Sequence, residues 1–324
     1  MSNHSARAGP GAGESPALKL QTTMAAARVS FTWLGVRKTL TADQKAQAAE
    51  PFGAEGQYLS AAKKLLDTAH PAFRAVTAIR NRIVSYWRGV SLPYPEPAIR
   101  LIRRDRIEPF NDQMTDFKQE LADGVAELDR QFGELKDAAR IRLGSLYNPA
   151  DYPPTLAGLF ACEWEFPSVQ PPQYLLELNP ALYEQERARM AARFQEAVEL
   201  AEVAFTAEFG KLVSHLVERL AGSADGERKI FRDSAVTQLG EFFSRFRELN
   251  VGSNAKLEEL VALAQRAVRG VEPQELRNND GLRQHIAGKL SAVQGQLDGL
   301  MIDRPRRRIL RPMSSSPPPQ EAVA

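Results

Sequence analysis

The side chains able to do chemistry are few and scattered. Four histidines, His4, His70, His215 and His285, lack the spacing of metal ligands, and the one cysteine, Cys162, has no second cysteine to form a disulfide with. Cys162 reads as a small buried apolar side chain rather than a nucleophile. There is no GxxxxGK[ST] loop, GxGxxG turn, HExxH helix or GxSxG elbow, so no familiar phosphate cradle, zinc helix or acyl-transfer serine is present. Neighbouring acids, Glu258 with Glu259 and Glu199 with Glu202, lie in segments rich in Arg and Lys and read as salt-laced helix surface. The expectation is a protein that is not an enzyme and holds neither cofactor nor metal.

Two constellations could instead recognise a partner. Residues 151–175, DYPPTLAGLFACEWEFPSVQPPQYL, crowd five prolines, two tyrosines, two phenylalanines and a tryptophan between long charged helical patterns. The prolines forbid a continuous helix. Two readings stand. Tyr152, Leu156, Leu159, Phe160, Trp164, Phe166 and Tyr174 fold back as a self-capping small core, or part of this head is a docking surface. On the second reading Trp164 and Tyr174 are the anchors, with Tyr152 and Phe166 beside them. The other constellation is basic: Arg100, Arg103, Arg104 and Arg106 in IRLIRRDRIEPF, and Arg304, Arg306, Arg307, Arg308 and Arg311 near the end. Arg103, Arg104, Arg106, Arg306, Arg307 and Arg308 could neutralise nucleic-acid phosphates. No stacking aromatics or known module accompany them, so a solvated face is the competing reading.

Composition bounds these options. Over 324 residues, 42 basic and 40 acidic side chains leave a formal charge of +2, so any attraction to nucleic acid or membrane must be local. The chain is long enough for one extended domain or two compact ones. Its start has no continuous apolar core of the signal-peptide kind, and no window approaches the ~20 apolar residues of a membrane span. With a single cysteine, the expected setting is cytoplasmic.

The elements that would position these residues read as mostly helical. Residues 1–27 and 304–324 are poor in large apolar side chains and are expected to be disordered tails. In VSFTWLGV, Val29, Phe31 and Trp33 alternate with polar residues, and in FACEWEF so do Phe160, Cys162, Trp164 and Phe166, which predicts two strands that could pair. Helices are expected over residues 57–69 and 72–87. A stripe at steps of three and four from Ile107 to Leu146, through Phe110, Phe117, Leu121, Leu128 and Phe132, predicts a coiled-coil-like rod of roughly 60 Å at 1.5 Å per residue. A second stripe, with Phe194 and Phe205, runs to Leu220, opened by Asn179 and Pro180 and stopped by Gly222. Together they predict an all-α fold: a long antiparallel hairpin with arms 107–146 and 180–221, head 147–179, a helical base within 28–222, at most a minor β element, and further helices over 223–303. Such seams serve self-association equally well.

The order FTWLGVRKTL, a short helix, RIVSYWRGVSLPYPE, a long helix opening DRIEPFNDQM, and a proline- and tryptophan-bearing head before a return helix resembles a family of uncharacterised helical proteins from phages, plasmids and bacterial genomes. The likeness spans about residues 29–222. It implies partners among the products commonly encoded beside that family, MoxR-type AAA+ ATPases and von Willebrand A-type proteins. It carries no catalytic residues. The expected function is a non-enzymatic adaptor that presents the 147–179 head to another protein, with phosphate-backbone binding through the arginines as the alternative.

Overall fold

A computed structural model of the protein describes residues 15–221 and 234–302. Ser15 accepts a hydrogen bond from the Leu18 amide and Pro16 follows it, two matched signals that open α1 (Pro16–Thr23). This helix runs directly into β1 (Met24–Thr32). Residues 16–27, expected in the first tail, are therefore regular structure, and Leu20, Met24, Ala26 and Ala27 are buried. The alanine run lacks the bulk that marks a strand in sequence, but it suits a strand covered on both faces.

A ribbon of β2 (Arg37–Thr39) and β3 (Ala62–Lys64) follows, with α2 (Ala42–Ala49) between its strands, opened by a reciprocal Thr41–Gln44 capping box. The helix expected over 57–69 is absent: the chain there holds a short turn, β3 and a loop. Asp151 ties this ribbon down, accepting from Lys38 at 2.5 Å and pairing with Lys63 at 2.6 Å, while Lys63 also donates to the Leu146 carbonyl at 2.6 Å. Next come α3 (Pro71–Gly89), β4 (Ser91–Pro93) and β5 (Ile99–Arg103), then α4 (Ile107–Arg130) and α5 (Phe132–Leu143). The chain continues through β6 (Ala161–Glu165), α6 (Tyr174–Leu178), α7 (Pro180–Ala221), α8 (Ser234–Leu249), α9 (Ala255–Val268), α10 (Pro273–Asn278) and α11 (Asp280–Ile302).

Strands β4, β5, β1 and β6 form one antiparallel sheet in that order. The expected pairing of the two aromatic strands is present, with Val29 opposite Trp164 and Phe31 opposite Cys162. On the face carrying Ala27, Val29, Ile102 and Cys162, the sheet is covered by Phe73, Val76, Ile79 and Ile83 of α3 and by Phe110, Met114, Leu121, Val125 and Leu128 of α4.

The all-α hairpin is overturned by this arrangement. The fold is mixed α/β, and α4 packs against α3 and β6. Its stripe specifies that a face must be covered, and α3 and the sheet supply the cover. The 107–146 stretch is also not one rod: Gln131, at φ −94° and ψ 1°, separates α4 from α5. Where α3 and α4 cross, Gly124 permits close packing: a Cβ there would lie 3.0 Å from Ile79 Cδ1, so the Ile79 side chain would have to give way by a few tenths of an ångström.

The described residues group into two compact units. One comprises residues up to 204 together with 244–253, and the other comprises 205–243 together with residues from 254 on. The divisions fall inside α7 and α8 rather than at residue 222. Among the described residues the second unit consists of helices. Phe209 stacks on Phe242 at 5.1 Å, Phe205 meets Phe242 edge-on at 6.2 Å, and α9 packs on α11. The buried Arg283 of α11 donates to the Arg219 and Leu220 carbonyls, both at 3.3 Å, satisfying the end of α7. Gly222, expected to stop that helix, lies outside the described residues.

Candidate functional site

The proline-rich head is held to the break between α4 and α5. Asp129 accepts from the Leu156 amide at 2.7 Å and from the Thr155 hydroxyl at 2.8 Å, and Leu156 beside them is fully buried. Phe160 and Cys162 follow into the core. Burial pushes the Cys162 thiol up to about 11, so the group is a packed apolar side chain rather than a thiolate nucleophile.

The four aromatics singled out in the head separate. The Tyr152 hydroxyl donates to the Leu65 carbonyl at 2.9 Å, and its ring stacks on Tyr147 with centroids 5.2 Å apart. Trp164 is half-buried on β6, its indole N–H donating to Asn111 Oδ1 at 3.0 Å with Lys118 Nζ 5.9 Å above the ring. Both serve the packing of the head. Phe166 meets Phe110 edge-on at 6.1 Å yet stays 38% exposed, and Tyr174 is 60% exposed.

Three exposed leucines follow in the chain, of which Leu176 and Leu178 escape sequence reading while Leu182 reads as part of the second stripe. Leu176, Leu178 and Leu182 are 50%, 78% and 38% exposed. Between Pro172 and Pro180, α6 has only five residues, too few for a helical period that would show which side faces water. Glu177, Glu184 and Glu186 are the only charged residues from 166 to 186.

The basic constellation is resolved differently. Arg103 forks onto Asp105, which holds that carboxyl below the usual range, and donates to the Glu248 carbonyl in the last turn of α8 at 3.1 Å. Arg104 reaches the Met24 and Gln21 carbonyls at 3.1 and 3.3 Å, at the end of α1. These two arginines thus supply donors to helix C-terminal carbonyls. Arg106 meets the Glu248 carboxylate at 3.4 Å, with both side chains about half exposed. Arg304, Arg306, Arg307, Arg308 and Arg311 lie outside the described residues, as does His4.

Around the end of α8 the arginines border two cavities that share Arg103, Glu248 and Leu249. One, of about 500 Å³, is lined by Lys19, Thr23, Arg104 and Arg247. The other, of about 340 Å³, is lined by Tyr86, Arg106, Phe110 and Arg245. Arg100 stands close by, bonded to the Ser91 hydroxyl and carbonyl at 2.7 and 2.8 Å. Burial first, then the charges of Arg88 and Arg245, pull its guanidinium down to about 10. The residues from α8 could not be joined to this site by sequence reasoning, because some 140 positions separate them from β5.

Among the described residues no group of three or more His, Cys, Asp and Glu side chains is placed to hold a metal. Among the same residues no helix is long and apolar enough to cross a membrane. No protein-family model, curated protein or solved structure matches the chain.

Proposed function

We propose that this chain is a non-enzymatic adaptor whose contact surface is the exposed run from Phe166 to Leu182. The observation that supports the reading is the contrast within the head. Tyr152, Leu156, Phe160 and Trp164 are engaged in packing, while Tyr174, Leu176 and Leu178 stay half or more exposed within five residues. Apolar side chains gathered in this way lose hydration free energy to water that contact with a partner returns, at about 25 cal/mol per Å² covered. Glu184 and Glu186 are paired with Arg187 and Arg189 on α7, which leaves Glu177 as the acidic charge within the run and favours a partner whose apolar groove carries a basic side chain at its border. The resemblance noted from sequence nominates a MoxR-type AAA+ ATPase as that partner.

The test is co-expression with the MoxR-type ATPase of the same host, followed by size-exclusion chromatography. The wild-type chain is expected to co-elute, and Leu176→Ser with Leu178→Ser to abolish co-elution without lowering the melting temperature. Trp164→Phe is expected to leave the complex intact. Undiminished co-elution of the double variant would remove the surface from consideration. A photo-reactive residue at position 178 that captures a different protein in the host would keep the surface and replace the ATPase.

A further inference from the structure

We propose that the cavity lined by Tyr86, Arg103, Arg106 and Arg245 is an anion site that takes a compact phosphorylated small molecule. The inference is independent of the adaptor reading, because none of the residues lining this cavity belongs to the run from Phe166 to Leu182.

Convergence is the first argument. Arg88 comes from the last turn of α3, Arg100 and Arg103 from β5, Arg106 from the turn before α4, and Arg245 from α8. A solvated helix face would spread such charges apart. Here four separate elements bring them together in a protein whose formal charge is only +2. Of the carboxylates, Glu248 alone lines this cavity. Arg100 stands outside the cavity lining, and its charge is disfavoured first by its own burial and then by the neighbouring guanidiniums of Arg88 and Arg245. An anion in the cavity, beside Arg103, Arg106 and Arg245, would offset the positive charge gathered there.

Occupancy is the second. Arg103 has fixed duties, with Asp105 and with the end of α8. Arg106 does not: its carboxylate partner, Glu248, stands at 3.4 Å and both groups are half exposed, a geometry worth little in water. Glu248 therefore acts as an internal placeholder. A phosphate has more acceptor oxygens, aligns with the guanidinium fork and displaces it readily. The Tyr86 hydroxyl, kept protonated as burial raises its pKa against the opposing pull of Arg106, is available to donate as well.

Shape is the third. A nucleic-acid backbone calls for cations strung along a path at phosphate spacing, whereas these border a concavity of about 340 Å³, the size of a small-molecule pocket. Phe110 and Val90 give it an apolar wall.

The experiment is calorimetric titration of the full-length protein with pyrophosphate at low ionic strength. We expect saturable binding of one pyrophosphate per chain, weakened tenfold or more by Arg106→Gln and tightened severalfold by Glu248→Gln. Arg130→Gln, which alters only an exposed pair with Glu127, is expected to leave it unchanged. Because Arg106 and Glu248 are half exposed, both variants are expected to fold, which thermal unfolding checks. Absence of saturable binding, or equal affinity in Arg106→Gln and Arg130→Gln, overturns the proposal. So does tight binding of a single-stranded oligonucleotide that pyrophosphate does not displace and that weakens steeply with salt, since that result assigns the arginines to a nucleic-acid track.

Discussion

Asp151 places one carboxylate between two lysines, with its own side chain 1% exposed and that of Lys63 6% exposed. The Lys38 and Lys63 ammonium groups, in that order of effect, hold the carboxyl below its ordinary value. A depressed carboxyl contributes stability that is present above the unfolded-state pKa, about 3.9, and is lost as pH falls through the folded value below it. Asp151→Asn is therefore expected to cost about 3–5 kcal/mol at neutral pH, because Lys63 stays buried without its counter-charge. Urea midpoints at pH 7 and below pH 3 check this: the gap between wild type and variant should narrow in acid. Trp164 and Tyr152 stand out in the sequence for an equally local reason. Each has a polar edge, and in the structure those edges find Asn111 and the Leu65 carbonyl. Both partners are remote in sequence.

At the scale of elements, the contact between α3 and α4 replaces the expected hairpin, and it can be probed at one crossing. Gly124→Val is expected to cost about 1–3 kcal/mol, because the new side chain meets Ile79. In an Ile79→Ala background the added penalty should largely vanish, and a double-mutant cycle by denaturant unfolding measures that coupling. Additivity of the two changes would contradict the packing. The positions of most helices were legible in periodicity, and the strand pair was legible from the alternation of Val29 and Phe31 with that of Cys162 and Trp164. Partner choice was not. A stripe of Phe110, Leu121 and Leu128 states that a face is apolar, and α3 with the sheet satisfies it as fully as a second long helix would. Strand β5 was concealed because Arg100 and Arg103 made Ile99–Arg103 read as a basic stretch, although Ile99, Leu101 and Ile102 are buried. The α8 contribution to the cavities is a tertiary fact with no local sequence signal.

At the scale of the whole molecule, residues 244–253 belong with the unit formed by the N-terminal part of the chain. Phe246, Leu249 and Val251 are all buried. A fragment ending at residue 222, the boundary suggested by sequence, lacks them. It is expected to bind a hydrophobic dye and to unfold at a lower urea concentration than a chain ending at residue 302. Equal midpoints would show that the first unit needs nothing from α8. The same interleaving bears on synthesis. When Ala204 has left the ribosome the first unit still lacks its closing segment, and residues 205–253 must be translated before it arrives. At 5–20 residues per second that delay is roughly 2–10 s, an interval in which the nascent chain exposes an unfinished surface to chaperones.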